Sequence, residues 1–229
     1  MKVYNLGLDL EAGKYKYETE CFKKLLDKFS PAKKTPYTVE FTNQEPEKTE
    51  AVVFNPEKKL DLVLNDLDRV EKRILRAESR EEQEALESAR KKLEEEKFLC
   101  DCDFEEDRII FLKQLQLLTF KPAVEIEDAG LPEKIIETLL FKAGVILFYT
   151  VGKKEVKIWS LKRGLTILDA AGKIHSDLRR GFIRGEVFKC KNLDSFFNLA
   201  EARMRGFVKS VDKSYTVEEG DVIEIKFSV

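Results

Sequence analysis

The chain has 229 residues, 43% of them apolar and 37% charged, which is enough for one large folded domain or two smaller ones. Its 41 basic and 43 acidic side chains give a formal net charge of −2, which excludes a uniformly basic nucleic-acid-binding protein. The charge is unevenly distributed, however: residues 151–229 carry 16 Lys or Arg and 11 Asp or Glu, so a basic C-terminal part follows an acidic N-terminal part.

The first 58 residues show the alternation of strands and helices that is typical of α/β domains. A helix is indicated where apolar residues recur at spacings of three and four, and a strand where β-branched and aromatic residues alternate with polar ones. The predicted elements are a strand over Lys2–Leu8, a helix over Cys21–Phe29 and strands over Tyr37–Phe41 and Ala51–Phe54. The last of these is wholly apolar, so we expect it to be a buried strand.

Two long amphipathic helices are predicted next. An apolar stripe begins at Leu60 and ends at Ile74, and a second one runs from Ala85 to Leu93 beyond a polar stretch, Arg80–Glu84. This pattern fits a pair of antiparallel helices. A third helix is expected over about Phe104–Leu118, with Asp103 as its N-cap.

The remainder of the chain is predicted to be mostly strands and turns. The expected elements are a strand over Lys121–Ile126, a helix over Pro132–Leu140, strands over Val156–Trp159, Ile183–Val187 and Val222–Phe227, and a helix over Leu193–Glu201. Pro132 suits the first turn of its helix, and Glu219–Asp221 forms a turn before the last strand.

The N-terminal residues and the cysteines indicate a cytoplasmic protein. Met1–Asn5 are not followed by the apolar region of a signal peptide, and the longest apolar run, near Val145–Val151, is too short to span a bilayer. We therefore expect no membrane association, and we expect the cysteines, at positions 21, 100, 102 and 190, to be reduced thiols. Cys100-Asp101-Cys102 lacks the second pair of ligands that zinc requires, so no metal site is predicted.

A series of short motifs near the C-terminus suggests a family. The motifs, in order, are Val151–Trp159, Lys162–Gly164, Asp169–Gly172, Ile174–Asp177, Gly181–Arg184 and Glu219–Ile223. In order and spacing they resemble the TGS domain, a small β-grasp module that ends the YchF-type (Obg-like) P-loop GTPases and ATPases. The resemblance implies a TGS domain over residues 146–229.

The middle of the chain is similar to the same family. The predicted helices over residues 59–118 resemble its coiled-coil arm, and Leu117–Pro122 resembles the return of that arm into the nucleotide domain. The resemblance implies that residues 1–58 and 119–145 are a reduced G domain. The fold class expected is therefore α/β (α+β): a shortened P-loop-like α/β domain with an inserted antiparallel helical hairpin, followed by the β-grasp domain.

The phosphate-binding motif of that family is altered in this sequence. A P-loop reads G-x-x-x-x-G-K-[ST], in which backbone amides cradle phosphate and the hydroxyl holds magnesium. Here Gly7 and Gly13-Lys14 are the remaining candidates for nucleotide binding, but the spacing is one residue too long and Tyr15 replaces the Ser or Thr. In a second alignment, Gly13–Leu25 resembles the segment after switch I, and the P-loop itself is absent.

Two further loops of the family are also changed. Where it has an Asp-x-x-Gly switch II, this chain reads Thr42–Glu45, and its base-reading Asn segment is replaced by Glu125–Asp128. Phosphoryl transfer depends on positioning and electrostatics from such loops. We therefore expect a protein that is not an enzyme, has no catalytic residue and needs no cofactor.

The basic C-terminal part supplies candidates for RNA binding. They are Lys157, Lys162, Arg163, Lys173, His175, Arg179, Arg180 and Arg184. Trp159 and Phe182 lie among them, and cations with aromatic faces suit RNA. The alternative is an ordinary solvated surface with both aromatic rings in the core. For His175, the alternative is a turn-forming residue that hydrogen-bonds to backbone.

The function predicted from the sequence is non-catalytic binding of RNA or the ribosome through the TGS domain. One alternative is a degenerate ATP- or GTP-binding regulator that uses Gly7, Gly13 and Lys14. The other is a scaffold that binds a protein partner through the helical hairpin.

Overall fold

A computed structural model describes residues 1–127, 130–152 and 154–228. The strands are β1 (Lys2–Leu6), β2 (Gly13–Tyr17), β3 (Lys33–Thr35), β4 (Tyr37–Thr42), β5 (Ala51–Phe54), β6 (Ala123–Glu125), β7 (Val145–Val151), β8 (Glu155–Lys162), β9 (Phe182–Lys189), β10 (Lys209–Val211) and β11 (Asp221–Phe227). The helices are α1 (Glu20–Phe29), α2 (Lys59–Ile74), α3 (Arg80–Glu94), α4 (Glu106–Gln114), α5 (Pro132–Lys142), α6 (Ile167–Ile174), α7 (Ser176–Arg180) and α8 (Leu199–Met204). The mixed α/β class expected from the sequence is confirmed.

The chain forms two compact units. The first contains residues 1–15 and 38–143, and the second contains residues 16–37 and 144–228. Residues 16–37 therefore differ from the assignment made from sequence, which placed them in the N-terminal domain. The reason is that β3 pairs with β8 and that α1 packs against β7 and β8.

The sheet of the first unit has the strand order β2-β4-β1-β5-β6. β1 pairs in parallel with both β4 and β5, and β5 pairs in parallel with β6. All four residues of β5 are buried, which confirms the predicted buried strand. The carboxyl ends of the parallel strands consequently meet at one edge of the sheet, where α/β proteins place their ligands.

The helical pair of the first unit is α2 and α3, whose apolar stripes form a core with the sheet residues Val52 and Phe54. Ser79 caps α3, and the buried Glu82 carboxylate accepts hydrogen bonds from the Glu78 amide at 2.9 Å and the Arg73 Nε at 2.6 Å. These bonds stabilise the short turn that joins α2 to α3. The predicted hairpin is present as two neighbouring helices joined by a short turn.

A buried carboxylate fixes the segment that follows α4. Asp66 of α2 is 1% exposed, and its Oδ2 accepts hydrogen bonds from the Thr119 amide at 2.6 Å and the Thr119 hydroxyl at 2.7 Å. The predicted helix over Phe104–Leu118 is shorter in the structure, because Gln116 adopts a left-handed backbone conformation that ends it. The predicted N-cap at Asp103 is wrong: Glu105 occupies the cap position, without a side-chain hydrogen bond.

The sheet of the second unit has the strand order β10-β9-β11-β7-β8-β3. The pairs β7–β8 and β9–β11 are antiparallel, whereas β7–β11 and β3–β8 are parallel. Helix α6 packs on one face over a core that includes Phe148 and Ile223. Gly185 permits this packing, since a Cβ there would lie 2.2 Å from Cδ1 of Ile167.

Two predictions for this unit are wrong. Cys21 and Cys190 are not reduced thiols but form a disulfide between α1 and the 3₁₀ helix Cys190–Ser195, whereas Cys100 and Cys102 are free. The single helix predicted over Leu193–Glu201 is replaced by that 3₁₀ helix and by α8, because Phe196 and Asn198 adopt extended backbone between them.

Candidate functional site

The loop after β1 is held by hydrogen bonds between its backbone and the side chain of Asn5. The Asn5 carboxamide donates to the carbonyl oxygens of Leu8 and Leu10 at 3.2 and 3.0 Å and accepts from the Leu8 amide at 3.2 Å. Gly7 has a φ of +84°, and a Cβ there would lie 2.9 Å from Cγ of Lys58. Gly7 is therefore required by the turn and by its close approach to Lys58.

Gly13 and Lys14 lie in a strand. They begin β2, and the next residue, Tyr15, donates its hydroxyl to the Glu11 carbonyl at 2.9 Å and meets the edge of the Phe41 ring at 5.4 Å. A P-loop connects a strand to a helix, whose N-terminal amides bind phosphate. Here the loop connects β1 to β2, so the structure does not bring Gly7, Gly13 and Lys14 together as that motif would.

Of the two other altered loops, the one after β4 forms an ordinary turn. In the loop after β4, the Thr42 hydroxyl accepts from the Gln44 amide at 3.1 Å, and Glu45 adopts a left-handed conformation. After β6, the described residues end at Glu127, and Asp128 lies outside them. The described part of the chain contains no group of three or more His, Cys, Asp or Glu side chains arranged to hold a metal ion.

An open cleft of about 390 Å³ lies at the carboxyl ends of β5 and β6. Its floor includes Phe54, which stacks on Phe98 with ring centroids 4.9 Å apart. Its rim carries charges of both signs, contributed by Lys59, Glu96, Lys97, Asp101, Glu125 and Lys142. The sequence analysis missed this cleft, because its residues come from four separate stretches of the chain.

Four of the RNA-binding candidates share one surface of the second unit. Lys173 lies in the last turn of α6, His175 joins α6 to α7, and Arg179 and Arg180 lie in the last turn of α7. Arg179 pairs with Asp169 at 3.6 Å and Arg180 with Asp177 at 3.0 Å. Both arginine side chains nevertheless remain more than half exposed, so they stay available to a phosphate group.

His175 has a defined structural role. Its Nδ1 accepts a hydrogen bond from the Asp177 amide at 3.1 Å and so caps α7. The Asp177 carboxylate lies 3.5 Å from the same nitrogen. One nitrogen cannot accept from the amide and also donate to the carboxylate, and the shorter contact favours the cap. This is the backbone-bonding alternative that the sequence left open, although the side chain is 61% exposed and can still meet a ligand.

Lys157 lies on β8 over the Trp159 ring, with its ammonium 3.6 Å from the ring centroid. Trp159 itself stacks on the buried Phe148 and donates its indole N–H to the Thr150 hydroxyl at 2.9 Å. Phe182 also packs against this core. Trp159 and Phe182, the two aromatic residues that suggested base stacking, are therefore partly buried against the core of the second unit.

The remaining candidates are separated from these. Lys162 and Arg163 lie at the far end of β8 from Lys157, about 16 Å away along the strand at 3.3 Å per residue. Arg184 lies on β9 and pairs with Glu186 at 3.7 Å. Alternation along β9 points Arg184 away from Gly185, whose side of the sheet α6 covers. The eight candidates thus form four groups rather than one patch.

The sequence analysis missed two exposed apolar side chains close to the end of α7. Ile183 is 59% and Phe227 is 46% exposed, and they lie at the start of β9 and the end of β11. The signal available in the sequence was Phe182-Ile183, two consecutive apolar residues that break the alternation of a regular strand.

None of the helices in the described ranges is both long and apolar enough to cross a bilayer. The family model YchF-GTPase_C, described as a protein of unknown function, matches residues 145–228. Over 96% of its length the fold also matches the solved structure of the Schizosaccharomyces pombe YchF GTPase, with a TM-score of 0.79, 18% identity and 88% of that chain covered. At this identity, the likeness shows a shared fold.

Three curated relatives are similar in sequence. The Bacillus subtilis ribosome-binding ATPase YchF is 27% identical over 74% of this chain, its Mycoplasma genitalium counterpart is 32% identical over 56%, and the japonica rice Obg-like ATPase 1 is 37% identical over 48%. The matched part spans only 65%, 35% and 28% of these relatives, respectively. The C-terminal part of the chain thus matches the YchF C-terminal family model, and the chain is similar in sequence and in fold to YchF and Obg-like proteins.

Proposed function

We propose that this chain is a non-catalytic member of the YchF family that binds ribosomal RNA through its C-terminal, TGS-type unit. The observation that carries the proposal is the continuation of the loop after β1 into β2, which leaves no helix N-terminus behind Gly13 and Lys14. Two of the matched relatives are named for binding the ribosome.

The charge of the C-terminal unit supports RNA as its ligand. Lys173, Arg179 and Arg180 occupy one exposed stretch over α6 and α7, where Asp177 lies between them. Cations that replace counterions on a phosphate backbone supply affinity without sequence specificity, and that affinity falls as salt rises.

Filter binding of the full chain to ribosomal RNA tests this proposal. A protein that makes about three phosphate contacts should lose affinity roughly 20- to 40-fold when salt rises from about 50 to 200 mM. The triple variant K173Q, R179Q and R180Q should bind weakly and with a shallower salt dependence. The matched control carries R76Q, R80Q and K91Q, which remove three exposed cations from the helical region of the first unit. Equal loss in both variants, or binding that ignores salt, would contradict the proposal.

A separate measurement tests the proposal that the chain does not hydrolyse nucleotides. Phosphate release from ATP and from GTP, each with magnesium, should not exceed the rate without protein. Turnover that disappears in a K14A variant would show that the proposal is wrong and that Lys14 acts on phosphate.

A second candidate function is a nucleotide-binding regulator, and the cleft beyond β5 and β6 is the observation that favours it. The position suits a ligand of an α/β sheet, and the rim presents Lys59, Lys97 and Lys142. Calorimetry with ATP and with GTP separates the two candidates. Saturable heat that is lost in a K59A variant supports the regulator, and no heat at millimolar nucleotide eliminates it.

The third candidate, a protein partner for the helical hairpin, is supported by Leu75. This residue follows α2 at the turn of the hairpin and is 86% exposed. An L75E variant should lose such a partner and keep RNA binding, which distinguishes this candidate from the first.

A further inference from the structure

The end of the β9–β11 pair contains a β-bulge. Lys226 lies opposite Arg184, and Phe227 lies opposite Phe182, so Ile183 is an extra residue on β9. Bulges disrupt the ladder locally and redirect side chains, and they are frequent beside functional sites. The bulge rim is defined as Arg180, Ile183, Arg184, Lys226 and Phe227.

Backbone contacts fix the rim to the end of α7. The Ser228 amide donates to the Gly181 carbonyl at 2.9 Å. A Cβ on Gly181 would lie 2.1 Å from the Ser228 carbonyl oxygen, so only glycine permits the two stretches to approach this closely. Arg180 and Phe227, each next to one of these residues, therefore lie on adjacent stretches of chain.

Cations lie on both faces of the strand pair at the edge that carries Phe227. Residues 173–185 contain four Lys or Arg and one acidic residue, Asp177, and Lys226 adds a further cation on β11. Arg184 pairs with Glu186 and Lys226 pairs with Glu224. Because side chains alternate along a strand, Lys226 and Arg184 lie on one face while Phe227 lies on the other. Arg180, at the end of α7, keeps 71% of its side chain exposed.

This combination fits a ligand that carries both phosphate and a flat ring. The cores of protein–protein interfaces are depleted of charge, which disfavours an apolar protein segment on a ring at an edge that also carries Arg180, Arg184 and Lys226. Unpaired RNA bases, in contrast, stack on aromatic side chains while neighbouring cations hold the phosphates.

We propose that the bulge rim holds an unpaired nucleotide of an RNA. Its base stacks on the exposed face of Phe227 and one flanking phosphate lies on Arg180, while the RNA backbone crosses the edge of the strand pair to reach Arg184 and Lys226 on the opposite face. The inference rests on the proposed RNA-binding function and narrows it to single-stranded RNA at one edge of the second unit.

Fluorescence anisotropy with the full chain tests the rim, using a labelled oligouridylate of twelve nucleotides and an RNA duplex of the same length. Loss of one stacked base costs about tenfold or more in affinity. F227A should therefore weaken binding of the single strand about tenfold, F227Y should keep it within about twofold, and F227L should resemble F227A. The duplex should bind more weakly and should respond little to F227A.

The matched control is F197A, the same substitution at a phenylalanine that is 90% exposed in the same unit and has no charged residue within two positions. F197A should bind the single strand like the wild type. If F197A and F227A lose affinity equally, or if F227L binds like the wild type, stacking at the rim is wrong. Circular dichroism establishes that each variant is folded, and K226Q, which leaves the ring intact, should weaken binding and reduce its salt dependence.

The experiment distinguishes failure of the proposed RNA-binding function from failure of the bulge rim as the binding site. If the wild-type chain binds neither RNA, the proposed function itself is wrong. If the wild type binds with the expected salt dependence but F227A and K226Q have no effect, RNA binding stands and the rim is not its site.

Discussion

Cys21 and Cys190 form a disulfide although 169 residues separate them along the chain. The bond joins α1 to the 3₁₀ helix that follows β9, and thus ties residues 16–37 to the rest of the second unit. Nearby, the Lys28 ammonium donates to the Leu193 carbonyl at 2.8 Å. The disulfide and this hydrogen bond hold α1 on the sheet.

The first prediction concerns this disulfide. A cross-link that closes so long a loop restricts the unfolded chain, so C21S should cost about 2–5 kcal/mol of unfolding free energy. Urea unfolding with and without a reducing agent measures the effect. Reduced wild type should resemble the C21S and C190S double variant, while C100S and C102S should leave the response to reductant unchanged. Identical stability of oxidised and reduced wild type would contradict the prediction.

The second prediction concerns Asp66. Burial raises the pKa of its carboxyl, although the hydrogen bonds from Thr119 oppose the rise. With a raised folded-state pKa, the contribution of this group to stability is complete below its ordinary pKa of 3.8 and is lost as the pH rises through the folded-state pKa. Wild type should therefore lose unfolding free energy relative to D66N as the pH rises above 3.8. Urea unfolding of both proteins between about pH 4 and 7 measures the difference, and a constant difference would refute the assignment.

The third prediction concerns Glu82, whose contribution to stability changes with pH in the opposite direction from that of Asp66. The hydrogen bond from the Glu78 amide, followed by that from Arg73, lowers the pKa of the Glu82 carboxyl. Its contribution to stability is then present above the ordinary pKa of 4.5 and is lost as the pH falls through the folded-state pKa. E82Q should cost about 1 kcal/mol at neutral pH and less in acid. The neighbouring exposed residue provides the control: E81Q should follow the wild-type curve.

The fourth prediction concerns two glycines. In G185A, the new Cβ would lie 2.2 Å from Cδ1 of Ile167 and 3.2 Å from Cγ2 of Val211, and such overpacking costs about 1–3 kcal/mol. I167V removes the clashing methyl group and should restore part of the loss. G13A should be neutral or slightly stabilising, because nothing lies within 4 Å of its Cβ position. Thermal unfolding compares the three variants, and a destabilised G13A would show that Gly13 has a tighter environment than described.

Sequence patterns predicted the elements whose periodicity is strong. The apolar run of β5, the stripes of α2 and α3 and the alternation of β11 all correspond to elements of the structure. In each case a single face, or the whole element, is buried, so the order of apolar residues carries the information.

The failures have identifiable causes. Gly13-Lys14 was interpreted as the remnant of a phosphate-binding loop, and this hid the short strand β2. The pairing of Cys21 with Cys190 depends on how α1 folds back onto the sheet, and spacing along the chain contains no sign of it. Lys157 and Lys162 are close in sequence, yet they lie on opposite faces and at opposite ends of one strand.

The placement of β3 and α1 has a consequence for biosynthesis. Both are made early, but β8, against which β3 pairs, is translated about 120 residues later, and Cys190 later still. At roughly 5–20 residues per second, the newly made α1 waits on the order of ten to thirty seconds for its cysteine partner. During that interval its apolar side chains, Phe22 and Leu25, have no sheet to cover them, so residues 16–37 are a segment that chaperones of nascent chains would recognise.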